Sequence, residues 1–216
     1  MAAALLCEQA GADGITAHLR EDRRHIVDAD VEGLKRALQT PFNLEMACTE
    51  EMLAIAERLK PHQVTLVPER REEITTEGGL DVTREPAALR AAIARLRRSA
   101  IRCSLFIDPL PAVIEQAASL GADAIELHTG AYANATADPR PLEALRAGAT
   151  RAAALGLAVH AGHGLTVLNV GFVAAIREIE ELNVGHSIVS QSVFDGLAAA
   201  VLAMRRAMDA GRAVPA

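Results

Sequence analysis

Hydrophobic and polar positions follow two periods along this chain. Short apolar runs rich in β-branched residues alternate with longer stretches whose apolar positions recur three and four residues apart. AAALLCEQA at 2–10 predicts the end of a helix, stopped at Gly11. Strands are then predicted over 14–20, 42–46, 63–68, 101–108, 123–128, 157–161 and 182–189. Helices are predicted over 28–38, 50–59, a stretch marked by Leu89, Ile93 and Leu96, 111–120, 141–155, 169–180 and 192–210. Thr49 is placed to cap the second of these, with Glu50 and Glu51 in its first turn and Pro61 beyond its end. The loop 129–132 is read as irregular. The segment 72–84, containing ITTEGGLDVT, is long for a strand-to-helix connection and carries paired glycines, so a mobile lid is expected there.

Strand followed by helix, about seven times over, defines an α/β chain with a parallel sheet. A closed (β/α)8 TIM-type barrel needs eight strands and about 250 residues. A leading helix followed by about seven βα units is what remains of such a barrel without its first strand. Residues 1–216 are therefore read as one partial barrel domain. An open doubly wound sheet is the rival, but no Gly-x-Gly-x-x-Gly follows the first strand. Polar residues at nearly every strand tip also favour a ring converging on one mouth.

Composition narrows the partners. The net charge is −6 and only 2% of residues are aromatic. That argues against binding nucleic acid by backbone charge or base stacking. No start-of-chain targeting signal and no bilayer-length apolar run is present, so a cytoplasmic protein without membrane partners is expected. Cys7, Cys48 and Cys103 read as free thiols without metal-ligand spacing.

The chemistry is expected at the strand tips. Side chains two apart on a strand face the same way. His18 and Arg20 therefore share a face, as do Asn43 with Glu45 and Glu126 with His128. A Glu and a His meeting at a barrel mouth can act as general base and acid. Any one of them has the plainer reading of a satisfied polar residue. Several at equivalent positions weaken that reading. His163 between Gly162 and Gly164 suits a close backbone approach to a ligand. Gly185-His186-Ser187 falls in the last unit, where barrels of this class bind phosphate with backbone amides. Arg23, Arg24, Arg70 and Arg71 read as a solvated rim rather than as phosphate ligands. No His-x-His or His-Glu-x-x-His pattern points to a metal.

The runs QAGADGITAHLREDRRHI, NLEMACTEEMLAIA, LVPERREEITTEGGLDV, SLFID, IELHTGAYA, AGHGLT and LNVGHSIV together resemble the pyridoxine 5'-phosphate synthase family, in order and over essentially the whole chain. The resemblance implies an eight-stranded barrel assembled as an octamer of dimers. It implies joining of 1-deoxy-D-xylulose 5-phosphate to 3-amino-1-hydroxyacetone 1-phosphate, with phosphate and water released and no metal or organic cofactor. His18 and Glu45 match the family's acid–base residues, His163 its acid, and Glu126 a carboxylate supporting the transition state. Arg20, His25 and Thr75 match contacts to deoxyxylulose phosphate. Gly164, Gly185 and His186 match the phosphate end of the other substrate. The family's opening strand, with Asn-x-Asp-His and a following Arg, has no counterpart, and Ser190-Gln191 stands where the family tends to have Gly-Arg. Val167-Leu168 likewise replaces a more polar pair. The expectation is an N-terminally shortened chain with low ring-closing activity. The alternatives are an inactive barrel acting as a subunit or binding protein, and another phosphate-handling barrel synthase or isomerase.

Overall fold

The computed structural model describes residues 1–69, 78–135 and 138–213. Its elements run α1 (Ala2–Gln9), β1 (Ile15–His18), α2 (Asp28–Ala37), β2 (Phe42–Met46), α3 (Glu50–Leu59), β3 (Gln63–Leu66), α4 (Pro86–Arg98), β4 (Arg102–Ile107) and α5 (Pro111–Leu120). They continue as β5 (Ala124–His128), α6 (Gly130–Asn134), α7 (Arg140–Ala154), β6 (Ala158–Gly162), α8 (Val170–Ala174), β7 (Ile179–Asn183), α9 (His186–Asp195) and α10 (Leu197–Arg212).

The seven strands form one sheet in sequence order, and each neighbouring pair is parallel. Alternation along each strand sorts the side chains. Leu44, Met46, Val64, Leu66, Cys103, Leu105, Ile107, Ile125, Leu127 and Val159 are buried in the hydrophobic core with the helix stripes of Val31, Met52, Ile93, Leu96 and Ile114. Many of the residues between them on the strands are polar and also buried, among them Asn43, Gln63, Thr65, Ser104, Glu126 and His160. These fill the inside of a curled sheet. Gln63 on β3 lies 3.5 Å from His160 Nδ1 on β6, a contact across the interior. Thr65 Oγ1 donates to Asn43 Oδ1 at 3.0 Å, and Asn43 Nδ2 donates to Thr16 Oγ1 at 3.3 Å.

Among the described residues, β1 and β7 are the two edges of the sheet and no backbone ladder joins them. Side chains span the seam instead. Thr16 Oγ1 on β1 donates to Asn183 Oδ1 on β7 at 2.7 Å. Outside the seam α10 packs against α1, and Arg205 binds the Gly11 carbonyl (2.7 Å) and the Asp13 carboxylate.

The last third departs from the sequence expectation. The predicted helix 169–180 is only the five-residue α8, and the strand lies at Ile179–Asn183 rather than 182–189. Glu180 and Glu181 are exposed on this edge strand, and charge there discourages further pairing. The apolar-looking run that follows is α9. The predicted helix 192–210 is split by Gly196, whose φ of 82° favours glycine, into α9 and α10. The loop at 129–132 is largely the short helix α6. Thr49 does occupy the N-cap of α3, but its hydroxyl makes no capping bond. The three cysteines are free, and burial pushes the Cys103 thiol up.

Candidate active site

The carboxyl ends of β1, β2, β5 and β6 bring the expected acid–base residues to one end of the sheet. His18 pairs in register with Glu45, and Glu126 with His160. His18 Nδ1 lies 3.9 Å from Glu45 Oε2. Glu126 is 2% exposed and accepts a hydrogen bond from Asn183 Nδ2 at 3.0 Å. Asn183 thus holds Glu126 with its amide while its carbonyl takes the Thr16 hydroxyl across the seam.

A cavity of about 1040 Å3 opens inside the sheet and along the seam. Glu45, Glu126, His163, Gly164, Gly185 and His186 line it, with Thr16 and Asn43 from the polar interior. His18, Arg20 and His25 are not in its wall. Arg20 lies just past β1, is 7% exposed, and reaches Asp22 through Nε and Nη2 at 3.3 Å. His25 is exposed on the connection to α2. Thr75, Arg70, Arg71 and the first part of the expected lid, up to residue 77, lie outside the described residues. Beyond that segment, Leu80 N donates to Phe106 O at 2.7 Å, which ties the chain to the end of β4.

Burial shapes the carboxylates. It pushes the Glu45 carboxyl above the usual range, partly offset by His18. It pushes Glu126 well up, and the charges of Glu45 and Glu181 add to this against the Asn183 hydrogen bond. Burial, then His128 and His186, push the His163 imidazole down. Burial thus shifts both His163 and Glu126 toward their neutral forms.

His163 is held with φ 88°, next to Gly164 at φ 75°. The left-handed region costs a non-glycine residue about 1–2 kcal/mol. Neighbouring bonds hold the turn: the buried Thr129 hydroxyl lies 2.6 Å from Gly162 O and 2.5 Å from His163 O. The ring of His163 sits 5.0 Å from that of His128. His128 Nδ1 lies 3.2 Å from Asp108 Oδ1, and its buried Nε2 has no hydrogen-bond partner among the described residues.

Sequence reasoning did not single out Glu69, Thr16, Asn183, Asp108 or Thr129 as site residues. Their partners lie 20 to 167 residues away, and no local pattern marks them. Among the described residues no three His, Cys, Asp or Glu side chains gather as a metal site, and no helix is long and apolar enough to cross a membrane.

The raised carboxyl of Glu126 makes a prediction about stability. Its folded pKa lies above the unfolded one, so the native state holds this proton more tightly. The resulting stabilisation is full below the ordinary glutamate range and is lost as pH rises through the raised value. Glu126→Gln is expected to flatten that fall and to be more stable than the parent at the upper end. Urea melts at a series of pH values measure this, and parallel curves for both proteins would refute it.

By fold and site, this is a parallel (β/α)-barrel enzyme with carboxylates and imidazoles gathered at the carboxyl ends of its strands. Solved structures agree on the fold at low identity. KGPDC from Streptococcus mutans superposes with a TM-score of 0.70 at 12% identity, covering 96% of this chain and 90% of that one. Phosphoribosyl anthranilate isomerase from Thermus thermophilus gives 0.62 at 20%, covering 95% and 92%. Sequence is more specific. Residues 1–210 match the family described as "Pyridoxal phosphate biosynthesis protein PdxJ", and the chain belongs to that family. The pyridoxine 5'-phosphate synthase of Xanthobacter autotrophicus is 55% identical over 98% of this chain and 84% of its own length. That of a Synechococcus species is 57% identical over 96% and 88%.

Proposed function

We propose that this chain is a pyridoxine 5'-phosphate synthase, joining 1-deoxy-D-xylulose 5-phosphate to 3-amino-1-hydroxyacetone 1-phosphate with release of phosphate and water. The observation that carries the reading is a PdxJ-family chain whose Glu45, Glu126 and His163 line one cavity, with His18 beside Glu45. Imine formation, phosphate loss, ring closure and aromatisation all move protons, so several acid–base groups around one cavity suit the chemistry. His18 and Glu45 exchange protons with the substrates, and His163 donates one. A neutral imidazole at His163 gains its proton more readily once a phosphate dianion is beside it. Glu126, whose burial favours its protonated form, donates a hydrogen bond where negative charge develops. Gly164, Gly185 and His186 hold one phosphate, Gly185 and His186 at the start of α9. Arg20, His25 and Thr75 take the deoxyxylulose phosphate. No metal or organic cofactor takes part.

The protein acts in the cytoplasm and self-associates. Phe172 on α8 and Val193 and Phe194 on α9 are 62%, 80% and 83% exposed, and such large apolar side chains suit an interface with a second copy. Light scattering should report more than one chain per particle.

Incubation with both phosphates tests the activity, read as pyridoxine 5'-phosphate formed and inorganic phosphate released. Absence of turnover overturns the reading. The unladdered β1–β7 seam favours one alternative, a barrel that binds without catalysing. Binding of deoxyxylulose phosphate without turnover would select it.

A further inference from the structure

The imidazole of His18 lies between two carboxylates that hold it differently. Nε2 is 2.8 Å from Glu69 Oε1, whereas Nδ1 is 3.9 Å from Glu45 Oε2. The first distance is that of a charge-assisted hydrogen bond and the second is beyond hydrogen-bond range. Glu69 follows β3, and its side chain is only 5% exposed. Its other oxygen accepts the Glu21 N–H at 3.0 Å. These two donors come from the end of β1 and the loop after it. Burial pushes the Glu69 carboxyl up, but the bonds from His18 and Glu21 outweigh it and hold it below the usual range. An ionised carboxylate has no proton to give, so the hydrogen in the short contact belongs to Nε2.

From this geometry we infer that Glu69 is a positioning residue for His18. It fixes the Nε2–H tautomer and leaves the Nδ1 lone pair on the Glu45 side as the base. When a substrate proton moves to Nδ1, the ring becomes an imidazolium whose charge faces Glu69. Glu69 stays ionised throughout, and the proton leaves again from Nδ1. The inference rests on the reading of His18 as an acid–base group in the proposed synthase. Carboxylates that orient metal-bound histidines account for about 10–100-fold in activity, and a loss of that order is expected here.

The test combines 15N NMR of the ligand-free protein with steady-state kinetics on Glu69→Gln and Glu69→Asp. The His18 signal is identified by its loss in His18→Gln. The parent should show a protonated Nε2 and an unprotonated Nδ1 in the neutral ring. Glu69→Gln should show a mixture, because an amide can accept from or donate to Nε2. Its kcat should fall about 10–100-fold with KM changed less than about threefold, and Glu69→Asp should recover part of the loss. An unchanged tautomer in Glu69→Gln overturns the inference. So does a loss confined to KM or matched by loss of thermal stability, which would make the contact a structural tie between β1 and β3. If the parent itself turns over neither phosphate, the synthase reading fails, while the NMR comparison still decides what Glu69 does to His18.

Discussion

Glu45→Gln is expected to lower kcat by roughly 10²–10⁴-fold while leaving the fold intact. Glutamine matches the shape of the side chain, and the strand around it is fixed by backbone pairing with His18 on one side and Thr65 on the other. What changes is the capacity to carry a proton. Burial raises the Glu45 carboxyl and the nearby His18 opposes that rise, so the group holds its proton more readily than an ordinary carboxylate. A base poised in that way both takes and returns a proton efficiently. An amide does neither. KM should change less than kcat, because the loss falls on proton transfer rather than on phosphate binding. The chemical stability of the variant should match or exceed that of the parent, since a buried ionisable group is removed. A kcat within a few-fold of the parent would show that Glu45 carries no essential proton.

Gly162→Ala is expected to disable the site and to destabilise the protein by about 1–3 kcal/mol. Gly162 ends β6, opposite His128 on one neighbour and Asn183 on the other. A methyl group there would overlap Glu126 Oε1 and come within 2.8 Å of the Asn183 carbonyl oxygen. Neither neighbour can yield easily. Glu126 is buried and tied to Asn183, and the Asn183 carbonyl belongs to the backbone of β7. Relief requires β7 to move away, which also pulls Asn183 from Thr16 and loosens the seam. Activity and denaturation midpoint should therefore fall together. A variant with parental values for both would mean that the β6–β7 seam is softer than its packing suggests.

β2 to β6 were legible because each is a largely buried run bounded by Gly, Pro or charge, and the half-buried β1 because β-branched residues lead into a charged tip. Burial on the helix-facing side forces that pattern whatever the neighbours are. β7 was not legible for the converse reason. IEELN is an edge strand with two exposed glutamates, so it lacks the apolar signature, whereas the more apolar residues after it fold as a helix. A window of sequence cannot tell a strand at an edge from a helix surface, because what distinguishes them is which partner lies alongside. The split of the final helix at Gly196 was similarly hidden among helix-forming neighbours.

The identities at the strand tips were also written in the chain. Two-residue alternation placed Asn43 with Glu45 and put Glu126 inside, and the same alternation kept the leucines and isoleucines outside against the helices. A polar residue in that register has nowhere to go but the interior of the curled sheet. The pairings among those residues were not written there. Glu69 meets His18 across 51 residues, and Asn183 meets Glu126 across 57 and Thr16 across 167. Sequence by itself determined the alternation of strand and helix, the polar tips and the family. Only the tertiary structure decided which carboxylate faces which imidazole, because the curl of the sheet, not distance along the chain, sets which strand ends meet.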